Sequence, residues 1–216
     1  MMRANEIRDR VLSEEIDSIQ LTDILSGYKR PRDKIRQLLK DQALIRVKKG
    51  LYVFGPKYAR QAYCKEVLAN LIYGPSAISL EYALSFYQLI PERVFTVTSI
   101  TDRRTKYFNT PVGSFSYRYL RTDKYCVGIT QKQLDENHFI LIATPEKALA
   151  DLLLARNPPL DTTSYQALED YLYVNLRIDS EQFANFDGAL VEKIAKVYRN
   201  KNIDCLASYI RERYRG

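Results

Sequence analysis

The sequence predicts an α+β protein: an N-terminal winged helix-turn-helix over 1–56, then a mixed α/β domain over 57–216 with a strand-rich middle (93–143) and a helical C-terminal part (144–216). Three observations predict it. A basic helix pattern at Pro31–Lys40 runs almost directly into an alternating hairpin pattern at Leu44–Phe54. Period-two segments and turn signals crowd the stretch from Phe95 to Ala143. From about Thr163 onward only helical spacing is found.

Taken in order, Ile7, Val11 and Leu12 space an opening helix, and Ile16, Ile19 and Leu21 lead into a short second one through Leu25, with Thr22 or Asp23 as its cap. Gly27 suits a left-handed residue closing that helix. Pro31 suits the first turn of a third, because its missing N–H has no partner to lose there. Ile35, Leu38 and Leu39 then line one side of the third helix. The hairpin alternates Ile45/Val47 with Arg46/Lys48, turns at Lys49-Gly50, and is closed by Gly55-Pro56. A helix from Arg60 to Tyr73 opens the second unit, and Ser79 caps another through Gln88. Phe95–Thr98, Lys106–Thr110 and Ser114–Tyr119 read as strands, the last two flanking the turn Pro111-Val112-Gly113. His138–Ala143 reads as a buried strand. Thr144 then caps a helix with Pro145 at its first position and Leu149, Leu152 and Leu153 inward. Tyr165–Leu176, Ser180–Phe186, Gly188–Asn200 and Ile203–Tyr214 follow as helices.

Charge is concentrated rather than spread. Between Gly27 and Arg60 there are 11 Lys/Arg against 2 Asp, a net of +9, whereas the whole chain carries +7. Basic residues on a helix beside a basic hairpin fit double-stranded DNA, the helix in the major groove and the hairpin on phosphates or the minor groove. The candidate DNA contacts are Lys29, Arg30, Arg32, Lys34, Arg36, Gln37 and Lys40 on the helix side and Arg46, Lys48 and Lys49 on the hairpin. Arg32 and Arg36 are the base-reading candidates, since a guanidinium grips guanine O6 and N7 together. A merely solvated helix face explains the helix but not the hairpin beside it. Arg93, Arg103, Arg104 and Lys106 form a second basic spot, read either as a solvated turn or as a further DNA or partner contact. Tyr117-Arg118-Tyr119-Leu120-Arg121 combines the residue types of interface hot spots, although packing is the commoner role of tyrosine.

Other classes are disfavoured by inventory. The 46% hydrophobic and 27% charged composition is ordinary for a globular chain, and no apolar run reaches the roughly 18 residues of a membrane span. MMRANEIRDR lacks the apolar stretch of a signal peptide, and Cys64, Cys126 and Cys205 make no disulfide framework, so a cytoplasmic protein is expected. A single histidine, His138, expected to be structural, and three scattered cysteines leave no zinc pattern; the eight glycines form no phosphate-cradling loop. Glu146 suits the positive end of its helix, and Asp151 is expected to pair with Arg156 or stay solvated. No catalytic constellation, metal site or cofactor is expected.

Several strings resemble one family. Leu44–Phe54 (LIRVKKGLYVF), the segment Ala77–Leu120 with its Ile-Pro-Glu-Arg, and Ala143–Leu154 with its Thr-Pro-Glu-Lys-Ala are similar to AbiEi-type antitoxins of the AbiE (type IV) toxin–antitoxin and abortive-infection systems. The resemblance covers roughly Thr22 to Arg156. It implies a winged helix that represses the chain's own operon at operator DNA, with an inverted repeat requiring two heads, and a second domain that counters a neighbouring nucleotidyltransferase-like toxin. The rival readings are a repressor whose second domain senses a small molecule, and a module whose winged helix binds a protein.

Overall fold

A computed structural model describes residues 4–214 and shows a mixed α+β chain; the first three and last two residues of the two expected units lie outside it. The N-terminal part runs α1 (Ala4–Arg8), β1 (Glu15–Asp17), α2 (Ser18–Ile24), α3 (Pro31–Lys40) and a hairpin of β2 (Leu44–Lys48) and β3 (Leu51–Phe54). These strands form an antiparallel sheet in the order β1-β3-β2. Pro31 opens α3 as expected, and Gly50 makes the hairpin turn at φ +86°, where a side chain is disfavoured. At Gly55 a Cβ would lie 1.9 Å from the Gln42 carbonyl oxygen, so only glycine fits where the chain leaves the hairpin.

Three local expectations are corrected here. The cap of α2 is Asp17, not Thr22 or Asp23: its Oδ1 accepts from the backbone of Ile19 (2.7 Å) and Gln20 (2.9 Å), and the Gln20 side chain accepts from Asp17 N in return. The reason is β1, whose pairing with β3 keeps the chain extended up to Asp17. Gly27 is not left-handed, because α2 already ends at Leu25. Leu12 and Ile19 are 79% exposed rather than inward.

The second part contains α4 (Lys65–Ile72), β4 (Ala77–Ile78), α5 (Leu80–Phe86), β5 (Val97–Thr101), β6 (Lys106–Thr110), β7 (Gly113–Tyr119), α6 (Thr122–Cys126), β8 (Ile129–Gln133), β9 (Phe139–Ala143) and α7 (Pro145–Ala155). Then come α8 (Gln166–Glu169), continued by a π-turn (Asp170–Asn175), a 3-10 turn (Ser180–Asn185), α9 (Gly188–Tyr198) and α10 (Lys201–Tyr214). The sheet order is β6-β7-β5-β4-β9-β8, with β4/β9 and β5/β7 parallel and the other pairs antiparallel. Past the short β4 the Asn70 carboxamide takes over its pairing role, accepting from Leu141 N (2.8 Å) and donating to Leu141 O (3.2 Å).

The first strand of the middle is shifted, with β5 beginning at Val97 and Phe95 left exposed. In β9 burial alternates, with Phe139 and Leu141 half-exposed, because the sheet is covered unevenly at that edge. The edge strand β8 and the two-residue β4 carry no pattern that singles them out from sequence. Ser79 stands at the head of α5 without capping it; its hydroxyl is used elsewhere.

That use is a buried polar cluster. Asp151 is neither solvated nor paired with Arg156: Ser79 Oγ donates to its Oδ2 at 2.6 Å, and the Tyr198 hydroxyl and Lys147 Nζ (3.4 Å) reach its Oδ1. Lys147 Nζ also donates to Tyr198 Oη (2.6 Å) and Lys124 O (2.8 Å). Lys147 and Asp151 share the inward side of α7 at i and i+4, beneath Gly128, where a Cβ would lie 2.9 Å from that of Lys147. Burial pushes the Asp151 carboxyl up and the Lys147 ammonium down from their ordinary values. Asp151→Ala leaves that ammonium without its carboxylate and should cost about 3–5 kcal/mol in urea unfolding, while the apolar pair Lys147→Met/Asp151→Leu should recover most of the loss. A single variant within about 1 kcal/mol of the parent would show that the pair is not a structural necessity.

Candidate nucleic-acid interface

Between α2, α3 and the hairpin lies an open groove of about 610 Å³. Arg32 and Arg36 enter it from α3, Arg46 and Lys49 from the hairpin, and Ser18 and Thr22 from α2, over a floor of Ile35 and Tyr52. Arg32 and Arg36 stand one turn apart on α3, opposite the buried Leu38. Ser18 N donates to Gly50 O at 2.8 Å, which ties the first turn of α2 to the hairpin turn and fixes the groove's width. An adjoining depression of about 430 Å³ is bordered by Lys29, Arg30, Arg32 and Arg36. Arg36 meets Asp33 at 3.1 Å, an exposed pair that competes weakly with an incoming anion.

Six of the sequence-derived candidates therefore converge: Lys29, Arg30, Arg32, Arg36, Arg46 and Lys49. Lys34, Gln37 and Lys40 lie on α3 but line neither depression; Lys34 is half-buried, while Gln37 and Lys40 are exposed. Lys48 is placed elsewhere. Its Nζ donates to Leu71 O (2.9 Å) and Ile72 O at the carboxyl end of α4, and burial lowers its pKa. The cause is a bulge between Arg46 and Lys48 that breaks the alternation and turns Lys48 away from Arg46. In the second basic set, Arg93 lies over the Phe95 ring (5.4 Å) and Lys106 over Tyr73 (4.9 Å), with Arg103 and Arg104 exposed between β5 and β6. None of these four lines the groove.

Two residues that sequence reasoning passed over hold this groove against the rest of the chain. Glu14 is paired with Arg8 at 2.6 Å and accepts from Arg60 N (2.9 Å) and Gln61 N (3.1 Å). Glu15, on β1, accepts from Cys64 N through Oε1 and faces His138 Nε2 at 3.2 Å through Oε2. His138 Nδ1 in turn meets Asp135 at 2.6 Å. These bonds hold residues 60–64 out of helix, so α4 begins at Lys65 and not at Arg60. A Glu-Glu pair opening a strand was the available signal, but apart from Arg8 its partners lie 46 to 123 residues away.

Among the described residues no helix is long and apolar enough to cross a membrane, and no group of His, Cys, Asp and Glu is placed to hold a metal. No protein-family model matches the chain, and no curated protein is significantly similar to it.

Burial opposes charge on His138, but Asp135 and Glu15 outweigh it, so its pKa lies above the ordinary 6.5. A raised folded-state value stabilises the fold fully below the unfolded pKa and loses that contribution as pH climbs through the folded one. Unfolding midpoints should therefore fall as pH climbs above about 6.5, and His138→Gln should flatten that part of the profile. An unchanged slope in His138→Gln would place the titrating group elsewhere.

Proposed function

We propose that the chain is an AbiEi-type antitoxin whose first unit is a winged helix-turn-helix that represses its own operon. The convergence of Arg32, Arg36, Arg46 and Lys49 from two elements on one groove carries the DNA-binding part. The element order and the third strand added by β1 support the winged-helix reading. With α3 in the major groove, Arg32 and Arg36 are separated by about 6 Å along the helix, roughly two base steps, so each can address a different base pair. Arg46 and Lys49 then meet backbone phosphates, as does the hydroxyl of Ser18, whereas the Thr22 hydroxyl is spent on Ser18 O (2.6 Å). The antitoxin part rests on the resemblance of the Ile-Pro-Glu-Arg and Thr-Pro-Glu-Lys-Ala strings, and it brings with it a nucleotidyltransferase-like toxin as the functional partner.

Arg32→Glu/Arg36→Glu should abolish binding to the upstream operator in a gel-shift or anisotropy titration while leaving the unfolding midpoint unchanged; retained sequence-specific binding would remove α3 from the interface. Lys49→Ala should instead weaken all sequences alike and reduce the log–log salt slope by about 0.9. In cells co-expressing the neighbouring toxin, rescue should survive both changes and require residues beyond Pro56. Loss of rescue with the arginine pair alone would make DNA binding part of antitoxicity.

A further inference from the structure

A second cleft, of about 650 Å³, lies on the sheet at the β6–β7 edge, away from the α3 groove. Its floor is set by strand register. Ser116 of β7 is paired with Tyr107 of β6 on one side and with Thr98 of β5 on the other, so the three side chains share one sheet face. Arg118 follows two residues along β7 on that face, its guanidinium held by a bond to Ala155 O (3.2 Å) at the carboxyl end of α7. Glu81 also lines the cleft beside Leu80, which enters α5 at φ +59°, a conformation costly for leucine. Tyr107 is 63% exposed, an aromatic ring presented rather than packed. Where β5 ends and β6 begins, Arg103 and Arg104 are exposed immediately before Thr105, which also lines the cleft.

The Thr98 hydroxyl is spent on Ser79 O (2.7 Å) and Tyr82 N (3.2 Å), which leaves a presented ring, the Ser116 hydroxyl and arginines at one end, a set that suits an anion carrying a planar base. The volume falls within the roughly 300–1,000 Å³ range of small-ligand clefts. In a duplex the base faces are covered by their neighbours, whereas an unpaired strand offers each base to an aromatic side chain and its phosphates to arginine. We propose that this cleft binds one unstacked nucleotide of a single-stranded nucleic acid, its base against Tyr107, its phosphate at Arg118, and the next phosphates along Arg103 and Arg104. Glu81 is placed to accept from an exocyclic amine of the base. This site is separate from the α3 groove and does not depend on the operator reading.

The test uses the full chain and fluorescently labelled single strands of about twelve nucleotides, as RNA and as DNA, with a duplex of the same sequence for comparison. The expected result is salt-sensitive single-strand binding that weakens about tenfold or more in Tyr107→Ala, is kept in Tyr107→Phe, and shows a log–log salt slope shallower by about 1.4 in Arg103→Gln/Arg104→Gln. Duplex binding should be unchanged by Tyr107→Ala, and thermal unfolding of that variant should match the parent. Binding in either the RNA or the DNA arm supports the proposal and identifies the sugar. Absence of binding in both overturns it, as does a Tyr107→Ala variant that binds like the parent. Competition as effective as that of the unlabelled strand overturns it too, since from an acidic peptide it would mean simple anion capture and from a mononucleotide a free-nucleotide site in place of a strand site.

Discussion

Two adjacent buried carboxylates, Glu14 and Glu15, are what the arrangement of this chain depends on. They are 1% and 4% exposed, and a carboxylate withdrawn from water must be met by hydrogen bonds or opposite charge. Both are met, but by partners from different places. Glu14 faces Arg8 within its own unit and the backbone at Arg60 and Gln61; Glu15 faces Cys64 and His138. Because β1 carries Glu15 and also pairs with β3, the same three residues complete the first sheet and fasten it to the second unit. One oxygen, Glu14 Oε2, is buried without a hydrogen bond among the described residues, a cost accepted for this double use.

The apolar packing repeats the pattern. Ile7, Leu21, Leu25, Ile35 and Leu38 form one core with Leu44, Tyr52 and Phe54, whereas Val47, Leu51 and Val53 from the same hairpin join the core of the second unit. The hairpin is thus shared, with Arg46 and Tyr52 on the groove side and Val47 and Val53 on the body side. Lys48 follows Val47 toward the body and caps the carbonyl end of α4, where a cation is favoured by the unsatisfied oxygens of the last turn. A hairpin pinned in this way cannot swing independently, so the width of the α3 groove is set before any ligand arrives. Preorganised cations lose less conformational freedom on binding than cations on a loose loop.

What was legible in the sequence is what local chemistry decides. Pro31 opens α3, Gly50 turns the hairpin, Gly113 at φ +137° ends the β6–β7 turn, and Thr144 accepts from Lys147 N to cap α7, all as their residue types require. The parts that were not legible are decided from a distance. Asp17 displaced Thr22 and Asp23 as a cap because a strand more than thirty positions later holds it extended. Residues 60–64 are helix-compatible, yet the N–H groups of Arg60, Gln61 and Cys64 are spent on Glu14 and Glu15. The inward position of Asp151 depends on Ser79 and Tyr198, from α5's head and α9. In the candidate site, the α3 arginines could be read off a helical repeat, but Lys48 could not be separated from Arg46, because a bulge has no reliable sequence mark.

The strings that carry the family resemblance are built into the scaffold. Thr144 caps α7, Pro145 occupies its first position, Glu146 accepts from Asp187 N at 2.8 Å, and Lys147 is fully buried. In Ile-Pro-Glu-Arg, Ile90 is buried and Glu92 accepts from Arg177 Nε at 3.0 Å while its carbonyl accepts from Ser85. The Thr-Pro-Glu-Lys residues are thereby committed to the fold of the second unit, whereas Pro91 and Arg93 of Ile-Pro-Glu-Arg stay exposed. The likeness therefore speaks to the body's framework, and on the proposed antitoxin reading a surface that counters a toxin would be built from exposed side chains carried on that framework. The exposed ones on β6, β7 and β9, among them Tyr107, Tyr119, Phe139 and Leu141, are the large apolar groups that the fold leaves open there.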